Sequence, residues 1–140
     1  MLHRGRLIDH LHLVVEDYDA ALRFYSAVLD ALEVPMGGTG SDYFWADELF
    51  VSTPTSEAAA GATTGRHHLA FQAKSREMVD RFHAAGLAAG GRDHGPPGLR
   101  PYHPQYYAAF LLDPAGNNIE AVYHGAAARS AASVTVEFEE

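Results

Sequence analysis

The sequence predicts an α+β fold made of two tandem βαβββ modules. Three observations carry that prediction. The chain overlays on itself with an offset of 58, which sets His10 on His68, Leu11 on Leu69, Arg23 on Arg81, Phe24 on Phe82, Ala27 on Ala85 and Leu29 on Leu87. Each copy opens with a strand-like stretch, a helix-capping residue and a helical pattern, and Asp17 overlays on Ser75. Each copy then closes in strand and turn material. A half of roughly 60 residues seldom buries enough surface alone, so the two halves are expected to pair their sheets around a common cleft.

The elements follow in order. Leu7–Val15 alternates around β-branched and apolar residues and reads as a strand. From Tyr18, apolar residues at Leu22, Tyr25, Leu29 and Leu32 have helical spacing. "DYFWADELFVSTP" closes module one, 7–55, and the small polar segment 56–66 is a linker. Module two, 67–124, opens with a strand over His68–Ala73. Its helix, capped by Ser75, turns Met78, Val79, Phe82 and Leu87 inward and ends at Gly90-Gly91. Residues 90–107, rich in Pro and Gly, read as a long irregular loop of the kind that carries specificity. Two strands flank a turn at Asp113-Pro114-Ala115-Gly116. In the tail, 125–140, "VTVEFEE" alternates well enough for an added edge strand, and a frayed end suits it equally.

Composition narrows the function classes. The chain has 140 residues, 47% of them hydrophobic, which suits one globular unit. A net charge of −8 with a single lysine, Lys74, offers no basic stripe for nucleic acid and no basic patch for a membrane surface. The absence of cysteine removes disulfides, thiolate metal sites and a thiol nucleophile. No signal-peptide pattern is visible at the N-terminus, and no apolar run approaches the roughly 18 residues of a membrane span. The expectation is a cytoplasmic protein.

Histidine is the unusual residue, with nine in the chain. Residues i and i+2 share one face of a strand, so His10 faces with His12, while His67 opposes His68. The repeat sets His10 and His68 in pseudo-symmetric places. If the halves pair through their first strands, both imidazoles point into one cleft. A carboxylate would complete a set of two histidines and one acid, which leaves metal positions open for substrate. Glu120, in the apolar stretch "NIEAVY", is the candidate, because a carboxylate there is costly unless exposed, paired or metal-bound. The plainer reading is that each histidine is an ordinary strand residue and Glu120 faces solvent.

"IDHLHLVVEDYDAALRFYSAVL", "HHLAF" and "FLLDPAGNNIEAVYH" together resemble the vicinal oxygen chelate superfamily, over about residues 7–124. That superfamily contains glyoxalase I, extradiol dioxygenases, fosfomycin-resistance enzymes and bleomycin-resistance proteins. The resemblance implies paired modules forming an open, U-shaped mixed sheet around a metal cleft, usually in a homodimer. It also implies His10, His68 and Glu120 as ligands to one divalent metal ion per site, with Fe, Mn, Zn, Ni and Co all open. The sequence departs from the subfamilies in turn. Where glyoxalase I carries a fourth ligand, this chain has Phe50–Thr53, with Glu48 nearby. Where extradiol dioxygenases carry a catalytic tyrosine, Phe110 stands ten residues before Glu120, with Tyr106 and Tyr107 close by. The basic groups of the fosfomycin enzymes find counterparts only in Arg92 and Arg100.

Around the cleft, the expected acid–base groups are His103 first and His12 second, because imidazole titrates near neutral pH. Tyr107 is the candidate catalytic phenol. Arg100, Tyr102, Tyr106 and Trp45 are the expected substrate contacts, with His94 and Phe44 near them. The prolines of 90–107 could instead merely stiffen a connection, and aromatics such as Trp45 are often core. His3 and His124 are expected to be solvated, and His83 to lie at the surface or an interface. The functional expectation is a metal-dependent glyoxalase-like or dioxygenase-like enzyme acting on a small oxygen-bearing molecule. The alternative is a metal-free drug- or metabolite-binding protein of the bleomycin-resistance type, for which an acidic surface suits a cationic ligand.

Overall fold

A computed structural model describes residues 2–4, 8–131 and 133–139, with side chains from residue 8 onward. Leu7, the side chain of His3 and Ala132 lie outside the described residues. Strand β1 is Leu2–Arg4 and β2 is Leu11–Val14. Helix α1 is Tyr18–Ala31, followed by β3 (Gly38–Thr39), β4 (Tyr43–Ala46) and β5 (Leu49–Ser52). The second half contains β6 (His68–Gln72), α2 (Arg76–Ala88), β7 (Arg92–Leu99), β8 (Tyr107–Leu112) and β9 (Asn118–Tyr123). Strand β10, Val134–Val136, pairs antiparallel with β1. The alternating tail thus does form a strand.

Each module makes a four-stranded mixed sheet, in the order β2-β5-β4-β3 for the first and β6-β9-β8-β7 for the second. The first strand of each module runs parallel to its last, and the remaining pairs are antiparallel. The α+β class and the two βαβββ modules are as the sequence predicts.

Both helices begin where their caps dictate. Asp17 accepts the Ala20 N–H at 3.1 Å, and Ser75 Oγ accepts the Met78 N–H at 3.1 Å. In α1, Ala21, Phe24, Tyr25, Val28 and Leu29 are buried, which is one helical stripe. Helix α2 ends in the hydrogen-bond pattern that glycine favours. Gly90 takes φ +101°, and the Gly91 N–H reaches back to the Gly86 carbonyl at 2.8 Å. Its buried stripe is Met78, Val79, Phe82 and Gly86; Leu87, expected inside, is 41% exposed. Gly86 faces inward because Leu111 and Val28 press on its Cα, leaving no room for a larger residue on that line.

The modules join through their helices. Phe24, Tyr25 and Val28 of α1 share one core with Val79 and Phe82 of α2 and with Leu111 and Ile119 of the second sheet. Arg23 donates to the Ala88 carbonyl at 3.0 Å at the end of α2. Tyr25 donates its hydroxyl proton to Asp113 Oδ2 at 2.7 Å, a buried link between the first module and the turn that launches β9.

Three expectations need correction. The first strand is shorter than Leu7–Val15: Asp9 bends, and His10 precedes the strand. Residues 90–107 are not all loop, since 92–99 form β7. Its prolines fall where the pairing with β8 shifts register, and β7 is an edge strand, where a missing N–H does not break a ladder. The modules do not pair through β2 and β6 within one chain; each is the outer strand of its own sheet.

Candidate metal centre

The second sheet assembles the most concentrated chemistry. Parallel pairing sets Glu120 on β9 opposite Ala70 on β6, and antiparallel pairing sets it opposite Phe110 on β8. Cross-strand partners share a face, so His68, Glu120 and Phe110 all project to the side away from α2. His68 Nε2 lies 2.7 Å from Glu120 Oε1. Tyr106, just before β8, donates its hydroxyl proton to Glu120 Oε2. Glu120 is 1% exposed, whereas the His68 side chain is 52% exposed. A carboxylate buried this deeply among apolar strand residues is costly without such partners. Burial first, and then the Glu120 carboxylate, push the Tyr106 phenol well above the usual tyrosine range, so it remains a donor.

Around this pair lies an aromatic and imidazole rim. The His68 ring centroid is 5.9 Å from that of Phe110, and the Arg100 guanidinium lies over the same ring, 5.3 Å from its centroid. Tyr102 meets Tyr106 edge to face at 4.9 Å. His103 Nδ1 accepts the Gln105 N–H at 3.2 Å, so its proton sits on Nε2, directed at His124 Nδ1 2.9 Å away. His124 is therefore part of the rim as well as exposed, and both imidazoles pack edge-on to Tyr106.

Tyr107, expected beside the metal pair, lies on the opposite face. Its hydroxyl donates to Asp80 at 2.6 Å and Arg76 covers its ring at 4.9 Å, which ties β8 to α2. The alternation of strand side chains turns Tyr106 toward Glu120 and Tyr107 away from it. His83 pairs with Asp93 at 2.9 Å.

The first module presents its own face. His12 lies 2.7 Å from Ser52 Oγ, and Ser52 donates to the Thr53 carbonyl, so the His12 Nε2–H is the donor to Ser52. Burial, and then the nearby His10, lower the His12 pKa and keep the ring neutral at neutral pH. His12 packs edge-on to Phe50 at 4.9 Å, and Tyr43 stacks on Phe50 at 5.6 Å. Trp45 is opposite Phe50 and lies across Gly37 and Gly38. Trp45 and His12 thus share one face, away from the core residue Phe44. His10 is exposed, with Nδ1 2.7 Å from Asp9 Oδ1. The structure therefore unites two of the three expected ligands, His68 and Glu120. His10 stands just ahead of β2 in the other module, and among the described residues no group of three histidines and acids gathers within one chain.

The roles of Tyr106 as partner of Glu120, of His124 and of Ser52 were not visible in the sequence. Strand register decides them, that of β8 with β9 in the second sheet and that of β2 with β5 in the first, and no local pattern encodes it. Two strand-first modules with a His–Glu pair on the open face define a class of paired-βαβββ proteins.

Comparison with known proteins gives that class a name. Residues 7–121 match the model of the Glyoxalase/Bleomycin resistance protein/Dioxygenase superfamily, and the chain belongs to that superfamily. A glyoxalase/bleomycin resistance protein from Albidiferax ferrireducens T118 is 33% identical, with TM-score 0.64 over 83% of this chain and 97% of that one. Lactoylglutathione lyase from Agrobacterium tumefaciens is 21% identical, with TM-score 0.60 over 84% and 93%. A glyoxalase-related enzyme from Fulvimarina pelagi is 19% identical, with TM-score 0.64 over 84% and 87%. These two show likeness of fold. No curated protein sequence matches the chain. No helix among the described residues is long and apolar enough to cross a membrane.

Proposed function

We propose that this chain is a divalent-metal-dependent enzyme acting on a small organic molecule bound through two neighbouring oxygens. The observation that carries this reading is Glu120, a carboxylate at 1% exposure with an imidazole nitrogen 2.7 Å from one oxygen. An imidazole nitrogen and a carboxylate oxygen held this close suit a first-row divalent ion, whose charge would compensate the buried carboxylate. His68 and Glu120 would hold the ion, with His10 as third ligand. Such an ion, when bound, supplies Lewis acidity toward the substrate oxygens.

The chain's own residues do the rest. Tyr106 fixes the Glu120 carboxylate through Oε2 and leaves Oε1 facing His68. His103, with its proton on Nε2 and His124 as acceptor, is placed to give or take a proton at the rim. His10 directly precedes β2, which pairs with β5 on one side and leaves its other edge open, and β6 is likewise an outer strand. A homodimer that joins these edges would bring His10 of the partner subunit to His68 and Glu120, and dimerisation is part of the proposal. The absence of cysteine suits a cytoplasmic setting.

Glu120→Gln and His68→Ala are each expected to abolish metal loading while the fold is retained by circular dichroism. Full metal occupancy in both variants would refute the ligand set. The aromatic face of His12, Tyr43, Trp45 and Phe50 favours a second reading, metal-free binding of a flat ligand; Glu120→Gln would leave such binding intact.

A further inference from the structure

Arg100 is the half-buried arginine of the described residues; Arg23, Arg66, Arg76, Arg81, Arg92 and Arg129 are all exposed. Its guanidinium is held in place from three sides. Nη2 donates to the Pro96 carbonyl at 2.6 Å, Nη1 reaches the Leu99 carbonyl at 3.5 Å, and the Phe110 ring lies beneath at 5.3 Å. Two glycines make the space. A Cβ at Gly95 would stand 3.1 Å from Nη2, and one at Gly98 would stand 3.1 Å from Nη1. The same Phe110 ring touches His68, so the guanidinium sits one ring away from the His68–Glu120 pair.

The charge in this arrangement is unanswered. Both acceptors are neutral backbone carbonyls of β7, and Arg100 makes no ion pair with a carboxylate among the described residues. A neutral amide side chain would satisfy those carbonyls equally well. A guanidinium carries five N–H donors, so most of its fork is left for another acceptor. In a chain of net charge −8, a fixed and partly desolvated cation beside the candidate centre marks the place for an anion.

We propose that Arg100 is an anion subsite: it takes a carboxylate or phosphoryl oxygen group of the substrate, set one aromatic ring away from the atoms that reach His68 and Glu120. This deepens the metal-enzyme reading, on which the second half of the statement rests. The substrate class is then a small acid with a second pair of oxygen donors, not a neutral or cationic molecule.

The test uses metal-free full-length protein and follows the Arg100 Nε–Hε signal by NMR during titration with benzoate, methylphosphonate and benzamide. Benzoate or methylphosphonate is expected to shift the signal saturably, and benzamide to leave it unmoved. Whichever anion binds identifies the group as carboxylate or phosphoryl. Read instead by the backbone amide signals of Gly95, Gly98 and Phe110, which surround the guanidinium, Arg100→Gln should weaken anion binding at least tenfold and Arg100→Lys less, while Arg92→Gln, on the exposed part of β7, should change nothing. Equal binding of benzamide, unchanged affinity in Arg100→Gln, or no shift with either anion would overturn the proposal. If Arg100→Gln does not fold, Arg100→Lys and the weakening of anion binding by added salt carry the same decision. Repeating the titration in Glu120→Gln separates the two readings. Anion binding that survives there, beside wild-type protein that takes up no metal, would sink the metal site and leave the anion subsite standing.

Discussion

Tyr25→Phe removes a single buried hydroxyl and tests how the two modules are held together. Tyr25 is 0% exposed and Asp113 is 2% exposed, and their 2.7 Å hydrogen bond spans from α1 to the turn before β9. Asp113 also accepts the N–H groups of Ala115 and Asn117 on Oδ1, so its Oδ2 would be left with only the Asn117 amide at 3.2 Å. Phenylalanine fills the same space, so no cavity term enters. Losing a hydrogen bond to a buried charged group costs about 1.5–3 kcal/mol. For a chain of this length that lowers Tm by roughly 3 °C per kcal/mol, or about 5–10 °C in all. The pH dependence has a definite sign. Burial, and then Asp113, raise the Tyr25 pKa well above its ordinary value of 10.0. Its contribution is therefore complete below pH 10 and is lost as pH rises further. Thermal denaturation of wild type and Tyr25→Phe from pH 7 to 11 should show a constant gap that narrows above pH 10. A gap below about 0.5 kcal/mol at pH 7 would refute the reasoning, since surface-like substitutions produce no more.

Other consequences follow from the same geometry. Ser75→Ala removes the cap of α2 and should cost about 1 kcal/mol in chemical denaturation, with Ser75→Gly milder. Gly86→Ala places a methyl against Leu111 and Val28 where α1 and α2 meet, and overpacking there should cost about 1–3 kcal/mol by the same assay. Tyr106→Phe leaves the proposed ligands His68 and Glu120 in place, so metal should still load, with a measurably weaker affinity by competition against a chelator. Complete loss of loading in Tyr106→Phe would make the phenol a ligand instead of a positioning group.

The parts of the fold that were legible are those written locally. Asp17 and Ser75 announce their helices because a cap acts within three residues, and the stripe Phe24, Tyr25, Val28, Leu29 needs only helical spacing. Glu120 could be chosen because an acid inside an apolar strand pattern is costly, and His68 because the repeat overlays it on His10; the structure sets the two together. What depends on pairing was not legible. Pro96 and Pro97 argue against a strand until β7 is seen to be an outer one. Tyr106 and Tyr107 are adjacent and chemically alike, and only the face each takes in β8 separates a Glu120 partner from an Asp80 partner. Analogy between the halves puts His10 in a cleft with His68. The helices carry the contact between modules instead, so that meeting requires a second copy.

The central claim is a metal held by His68, Glu120 and His10 across a dimer. It is tested most directly by measuring metal content and molecular mass together, on tag-free protein purified without chelator or added metal. The account predicts a dimer with close to one equivalent of Fe, Mn, Zn, Ni or Co per chain, lost in His10→Ala without loss of the dimer. Protein that stays empty after reconstitution with each of these metals would contradict it.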